Sequence, residues 1–291
     1  MARILFAGAL LITGLLLLFA VAIPFVLNEN RAMTGHHVIE YSVRISSDTA
    51  LENLTLLLPV PSGNGISSMG HGLAYGSGYG VPGGWNLSLE RQNGSQYLKI
   101  TDAQYIPERA AYPVPISQDA MKNGSHPQDN LTIRTIPLAT TSVVPDTRNG
   151  SVYTTWIGPG ANATMAARDL PVLRPVEFGV REMVDATITT RDPFGVEPLL
   201  EPKVDLHETG CGVPVTKTAR CFAYTSPVFI GYNSSEPADI EVSVSLHASN
   251  EWWELGWSSN SYTDRITINS AQGKKGWMTA EGVLMTGNGR Y

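Results

Sequence analysis

The two cysteines of the chain, Cys211 and Cys221, stand ten positions apart. They form no CxxC pair and no histidine pair flanks them at metal-ligand spacing, so they read as one disulfide closing a hairpin-sized loop. His207-Glu208 opens like a zinc-protease motif, but Cys211 stands where the second histidine belongs. His36-His37 are either a metal pair or a solvated dipeptide. Asp185, Asp192, Glu197 and Glu201 have the chemistry of glycosidase acids or calcium ligands, without a DxDxDG loop to organise them. GxSxG, HExxH and Walker sequences are absent. The sequence predicts no cofactor and no catalytic motif; a hydrolase built from dispersed carboxylates remains one reading.

Trp252, Trp253 and Trp257 fall within six residues, and Trp277 follows on a nearby segment. Read as a strand over 251–258, parity puts Trp253, Leu255 and Trp257 on one face and Trp252, Glu254 and Ser258 on the other. The face with three large apolar side chains is expected to be buried. Trp252 beside Glu254 is then the pair available to bind a carbohydrate or a partner protein.

Asn-X-Ser/Thr sequons occur at Asn53, Asn86, Asn93, Asn123, Asn130, Asn149, Asn162 and Asn233. Eight sequons exceed what chance placement of 15 asparagines gives. Part of the excess is turn chemistry, since Asn-Gly-Ser recurs at 93, 123 and 149. The remainder predicts N-linked glycans and an extracellular location, the oxidising side that the disulfide also requires.

Ile4 to Leu27 is an uncharged apolar run of 24 residues. As a helix it is about 36 Å long, against about 30 Å of bilayer hydrocarbon. The expectation is a single-pass signal-anchor over 4–27 in membrane lipid. Residues 1–3 form a cytoplasmic stub, 28–35 a stalk and 36–291 the extracytoplasmic part. Ala20-Val21-Ala22 resembles a cleavage site, and a cleaved signal peptide is the alternative. Arg3 and Arg31 balance across the run, so the sequons and not the flanking charge set the orientation.

A net charge of −6 argues against nucleic-acid binding, which needs a basic face. Only 16% of residues are charged, and Gly and Pro fill about one position in six, as in turn-rich β proteins. Period-2 alternation marks strands at 39–45, through Leu54, Leu56 and Leu58, and above all at 240–246. Further strands are expected near 251–258, 262–268 and 276–285. Asn93-Gly94 sits between Leu87/Leu89 and Leu98/Ile100 as a hairpin turn. The nine glycines of 63–84 predict a mobile loop, and 158–175 is a candidate sub-boundary.

The expected fold is an all-β ectodomain, a single or double β-sandwich, after one N-terminal transmembrane helix. The combination of signal-anchor, dense sequons and acidic β-rich ectodomain resembles the surface glycoproteins of archaea in composition, and the resemblance carries no site residues. It points to a structural or adhesive envelope protein that packs against other envelope proteins. A carbohydrate- or protein-binding module using the Trp-rich strands is the alternative.

Overall fold

The computed structural model describes residues 34–63, 67–110, 113–115, 132–135, 143–146, 151–154, 164–167, 172–212, 215–270 and 273–291, with isolated positions between 18 and 26. All but five isolated positions of the expected anchor over 4–27, and most of the stalk, lie outside these residues. Among the described residues, no helix is long and apolar enough to cross a membrane.

Two compact units divide the chain: Met1–Pro107 with Pro175–Tyr291, and Glu108–Arg174. The first carries strands β1 (His36–Ser47), β2 (Leu51–Ser62), β3 (Asn86–Gln92) and β4 (Ser95–Tyr105), and a helix, α1 (Ser68–Ala74). The second holds seven short strands, β5 (Glu108–Ala110), β6 (Pro113–Pro115), β7 (Thr132–Thr135), β8 (Val143–Asp146), β9 (Ser151–Thr154), β10 (Thr164–Ala167) and β11 (Val172–Arg174). These pair antiparallel as β6-β10-β7, β11-β5 and β8-β9. The first unit resumes with β12 (Val176–Met183), β13 (Leu199–Glu201), β14 (Val204–Thr209), β15 (Arg220–Asn233), β16 (Ile240–Trp253), β17 (Trp257–Ser270) and β18 (Gly276–Gly289).

One antiparallel sheet of order β12-β1-β16-β17-β18-β15-β2-β4-β3 organises the first unit. Strands of up to 14 residues accumulate twist, and the sheet curls into a half-barrel. Its curvature brings non-neighbours together: Tyr41 on β1 donates its hydroxyl 3.0 Å to the Pro59 carbonyl on β2, across four intervening strands. The expected β content is present, but one sheet folded on itself encloses the core where two stacked layers were anticipated.

Alternation decides which side chains are enclosed. Ile240, Val242, Val244, Leu246 and Ala248 of β16 face inward with Tyr262, Ile266 and Ile268 of β17. Tyr41, Val43 and Ile45 join them from β1, and Leu54, Leu56 and Leu58 from β2. Burying each such side chain contributes roughly 1.5–3 kcal/mol. The Asn93-Gly94 turn forms as read, both residues having positive φ (52° and 86°) between the register partners Gln92 and Ser95.

The glycine-rich stretch departs from its expectation. Within it, Ser67 caps α1 by accepting the Gly70 amide at 2.9 Å, and the helix drives Met69 and Leu73 into the core. The chain beyond it joins the sheet's two outer strands: Tyr79 and Gly179 exchange backbone hydrogen bonds of 2.8 and 3.0 Å, and Trp85 meets Phe178 edge-on at 5.7 Å. Tertiary contacts offset the ordering cost that local composition could not.

Residues 184–203 form a strap over the inner face. Asn250 accepts from the Ile188 amide at 2.9 Å and donates to its carbonyl at 2.8 Å. Asn260 accepts the Thr190 hydroxyl at 2.7 Å, and Tyr262 donates to the Pro198 carbonyl at 2.8 Å. The strap ends by pairing β13 with β2. β14 then pairs with the outer length of β15, placing Thr209 opposite Cys221. At this hairpin Cys211 and Cys221 are disulfide-bonded with Cα atoms 5.1 Å apart, as the spacing predicts.

Candidate functional site

The tryptophans separate by parity, but opposite to the expectation. Residue 252 continues the inward series of β16, so Trp252 is 3% exposed. The strand stops at Trp253, residues 254–256 turn, and β17 starts at Trp257. Leu255 has φ 56° in this turn, and the Glu254 amide donates to the Gly256 carbonyl at 2.9 Å. Trp253, Leu255 and Trp257 are therefore 42%, 85% and 64% exposed. A single strand over 251–258 is thus corrected to the tip of a hairpin. Apolar count misjudged the face because the parity was already set from Ile240.

Trp252 nonetheless touches Glu254, its indole Nε1 donating to the carboxylate at 3.4 Å, while Arg290 reaches the same oxygen at 3.7 Å. The indole is a wall of the core and cannot offer a stacking face. Exposed aromatic surface lies on Trp253 and Trp257, register partners whose rings meet edge-to-face at 5.8 Å.

A second aromatic site lies on the outer face of the sheet. Trp277 of β18 packs edge-on against Phe229 of β15 at 5.6 Å and Tyr97 of β4 at 5.5 Å, and is half exposed. A shallow groove beside it is lined by Thr55, Leu57, Glu90, Gln92 and Lys99. Lys99 pairs with Glu90 at 2.8 Å and Gln92 donates to it at 2.6 Å, which holds the Glu90 carboxyl below its ordinary value, the Lys99 bond being the larger cause. An aromatic ring beside fixed donors and acceptors suits a sugar face and its hydroxyls. Only Trp277 of this group was singled out in the sequence; Glu90, Gln92, Tyr97 and Lys99 share the β3–β4 hairpin, and no local spacing joins them to β2, β15 or Trp277.

Among the described residues, the most deeply buried charge is Asp264 on β17, fully enclosed. It accepts the Leu200 amide at 2.9 Å, the Lys203 ammonium at 2.6 Å and the Tyr224 hydroxyl at 2.5 Å. Tyr224 reaches it by lying over Gly282 of β18, where a Cβ would come within 2.3 Å of the ring. Burial first, and the Asp264 charge second, push the Tyr224 hydroxyl well above its ordinary value. Both oxygens of the carboxylate are engaged by the fold, so the cluster works as a structural clamp on the strap. Its sequence signal was an acid at an inward position between Tyr262 and Ile266.

The other sequence candidates scatter. His36 stacks against Trp257 at 6.5 Å and His37 bonds Asn250 at 2.8 Å. Glu208 forms a forked pair with Arg220 at 2.9 and 3.0 Å, beside an exposed His207. Asp185, Asp192, Glu197 and Glu201 are spread along the strap, with Glu197 accepting the Thr189 amide and Glu201 the Ser62 hydroxyl. Among the described residues, no group of three or more acids, histidines or cysteines could hold a metal.

Of the sequons, Asn53, Asn86, Asn93 and Asn233 are described, and all four are exposed. Asn53 and Asn86 flank one open groove, and Asn233 pairs with Glu52 beside Asn53, so three gather at one end of adjoining strands. Asn93 lies at the opposite end of β3. Asn123, Asn130, Asn149 and Asn162 lie outside the described residues. The chain matches no family model, no curated protein and no solved structure.

Proposed function

We propose that the protein is a membrane-anchored cell-surface glycoprotein whose extracellular β domain has a structural or adhesive role in the envelope. Residues 4–27 hold it in the lipid, N-linked glycans coat it, and other envelope proteins are its neighbours. The observation that carries this reading is the exposure of every described sequon asparagine, two of them at strand ends and one at a hairpin tip, where a glycan meets no packed surface. The disulfide supports the same compartment. Alkaline carbonate extraction of native membranes tests the anchor: the full-length chain stays in the pellet, and its release into the supernatant contradicts the reading.

A second reading, carbohydrate binding, is favoured by the groove beside Trp277. Glycan-array binding that disappears in Trp277→Ala, with the melting temperature kept, supports it; binding unchanged by Trp277→Ala removes it. Trp252 and Glu254 support it less, because the ring of Trp252 is enclosed.

A further inference from the structure

Three large apolar side chains project from one hairpin, and Leu255 at its crown is the most exposed of the large hydrophobic residues described. A contiguous apolar patch of this kind usually marks a contact. The chain enters the domain beside it: the Trp253 amide donates to the Thr34 hydroxyl at 2.9 Å, and the His36 ring stacks on Trp257. Between Leu27, where the apolar run ends, and Thr34 there are seven peptide steps. Fully extended, they reach at most about 25 Å. If 4–27 spans the bilayer, the hairpin tip is tethered within that distance of its surface.

We propose that the β16–β17 hairpin tip inserts into the lipid headgroup–acyl boundary of the outer leaflet, with Trp253, Leu255 and Trp257 as its anchors. This proposal rests on the membrane-anchor reading above. Tryptophan concentrates at that boundary because its ring is apolar while its N–H stays wet. Tyr291 and Arg290 lie at the same end: Arg290 reaches the Ser258 hydroxyl at 3.3 Å, and Arg191 covers the Tyr291 ring at 4.5 Å. These cations and rings are of the kind found in interfacial belts. Glu254 is turned back to Arg290 and Trp252, away from the crown. A lipid boundary fits better than a sugar, because edge-to-face rings offer no coplanar stacking platform and the crown residue is a leucine.

The test uses the full-length chain in phosphatidylcholine vesicles, with and without lipids brominated near the headgroup end of the acyl chains. Bromine quenches tryptophan emission only on contact. The wild-type chain is expected to float with the vesicles and lose emission to bromolipid. Trp253→Phe/Trp257→Phe, which keeps an apolar aromatic ring at both positions, is expected to float equally and lose at least half of that quenching. A chain that floats but shows no quenching, or equal quenching in the variant, overturns the hairpin proposal and leaves the anchor reading standing. Emission changed by soluble oligosaccharide in the wild type and not in Trp253→Phe/Trp257→Phe, with no quenching by bromolipid, assigns the tip to sugar and overturns it too. A chain that fails to float removes the anchor and the proposal together.

Discussion

Lys203 on the strap places its ammonium 2.6 Å from the fully buried carboxylate of Asp264 on β17, 61 residues away in sequence. The same ammonium sits 4.6 Å from the centre of the Tyr224 ring and donates to the Leu200 carbonyl. The pair therefore fastens the strap to two strands of the sheet, β15 and β17. An enclosed carboxylate left without its partners is strongly unfavourable.

Removing one member of the pair is expected to destabilise the protein by about 3–5 kcal/mol. Lys203→Met and Asp264→Leu should each show this in urea unfolding, while the double variant recovers part of the loss. Losses that simply add contradict a coupled buried pair.

The two faces of the hairpin end should respond in opposite ways. Trp252→Ala empties a core position and is expected to cost about 3–5 kcal/mol. Trp257→Ala, at an exposed tip, should stay within about 0.5 kcal/mol of wild type. Thermal unfolding of both variants checks the assignment, and equal losses contradict it.

Much of the sheet was legible in the sequence because its evidence is local. Val242, Val244 and Leu246 alternate with small or charged residues, Asn93-Gly94 names its own turn, and two cysteines admit one pairing. The tryptophan faces were misread because parity belongs to the whole strand, and one displaced turn inverts every later side chain. Helix α1 carries Gly70 and Gly72 in seven residues, so its stability comes from the core beneath it and not from propensity. The Lys203–Asp264 clamp and the Trp277 groove assemble residues from distant strands, for which a single sequence holds no spacing signal.

The Cys211–Cys221 bond should appear as a linked peptide pair in non-reducing mapping of freshly isolated protein. Alkylation of both thiols without prior reduction contradicts it. Cys221→Ser is expected to cost about 3 kcal/mol through the loop entropy it restores to the unfolded chain.

Intact-peptide mass spectrometry of protein taken from native membranes should find glycans on several sequons. Asn93, at the tip of an exposed turn, is expected to be occupied, and the adjoining Asn53, Asn86 and Asn233 should compete for space at their shared end. All eight asparagines bare contradicts an extracellular domain.

Protease treatment of intact cells tests the central proposal most directly. With residues 1–3 inside and the chain beyond about residue 30 outside, protease should shave the β domain from the surface and leave the N-terminal segment in the membrane fraction. A domain protected until the cells are lysed contradicts the orientation, and a mature chain that begins at Ile23 contradicts the anchor.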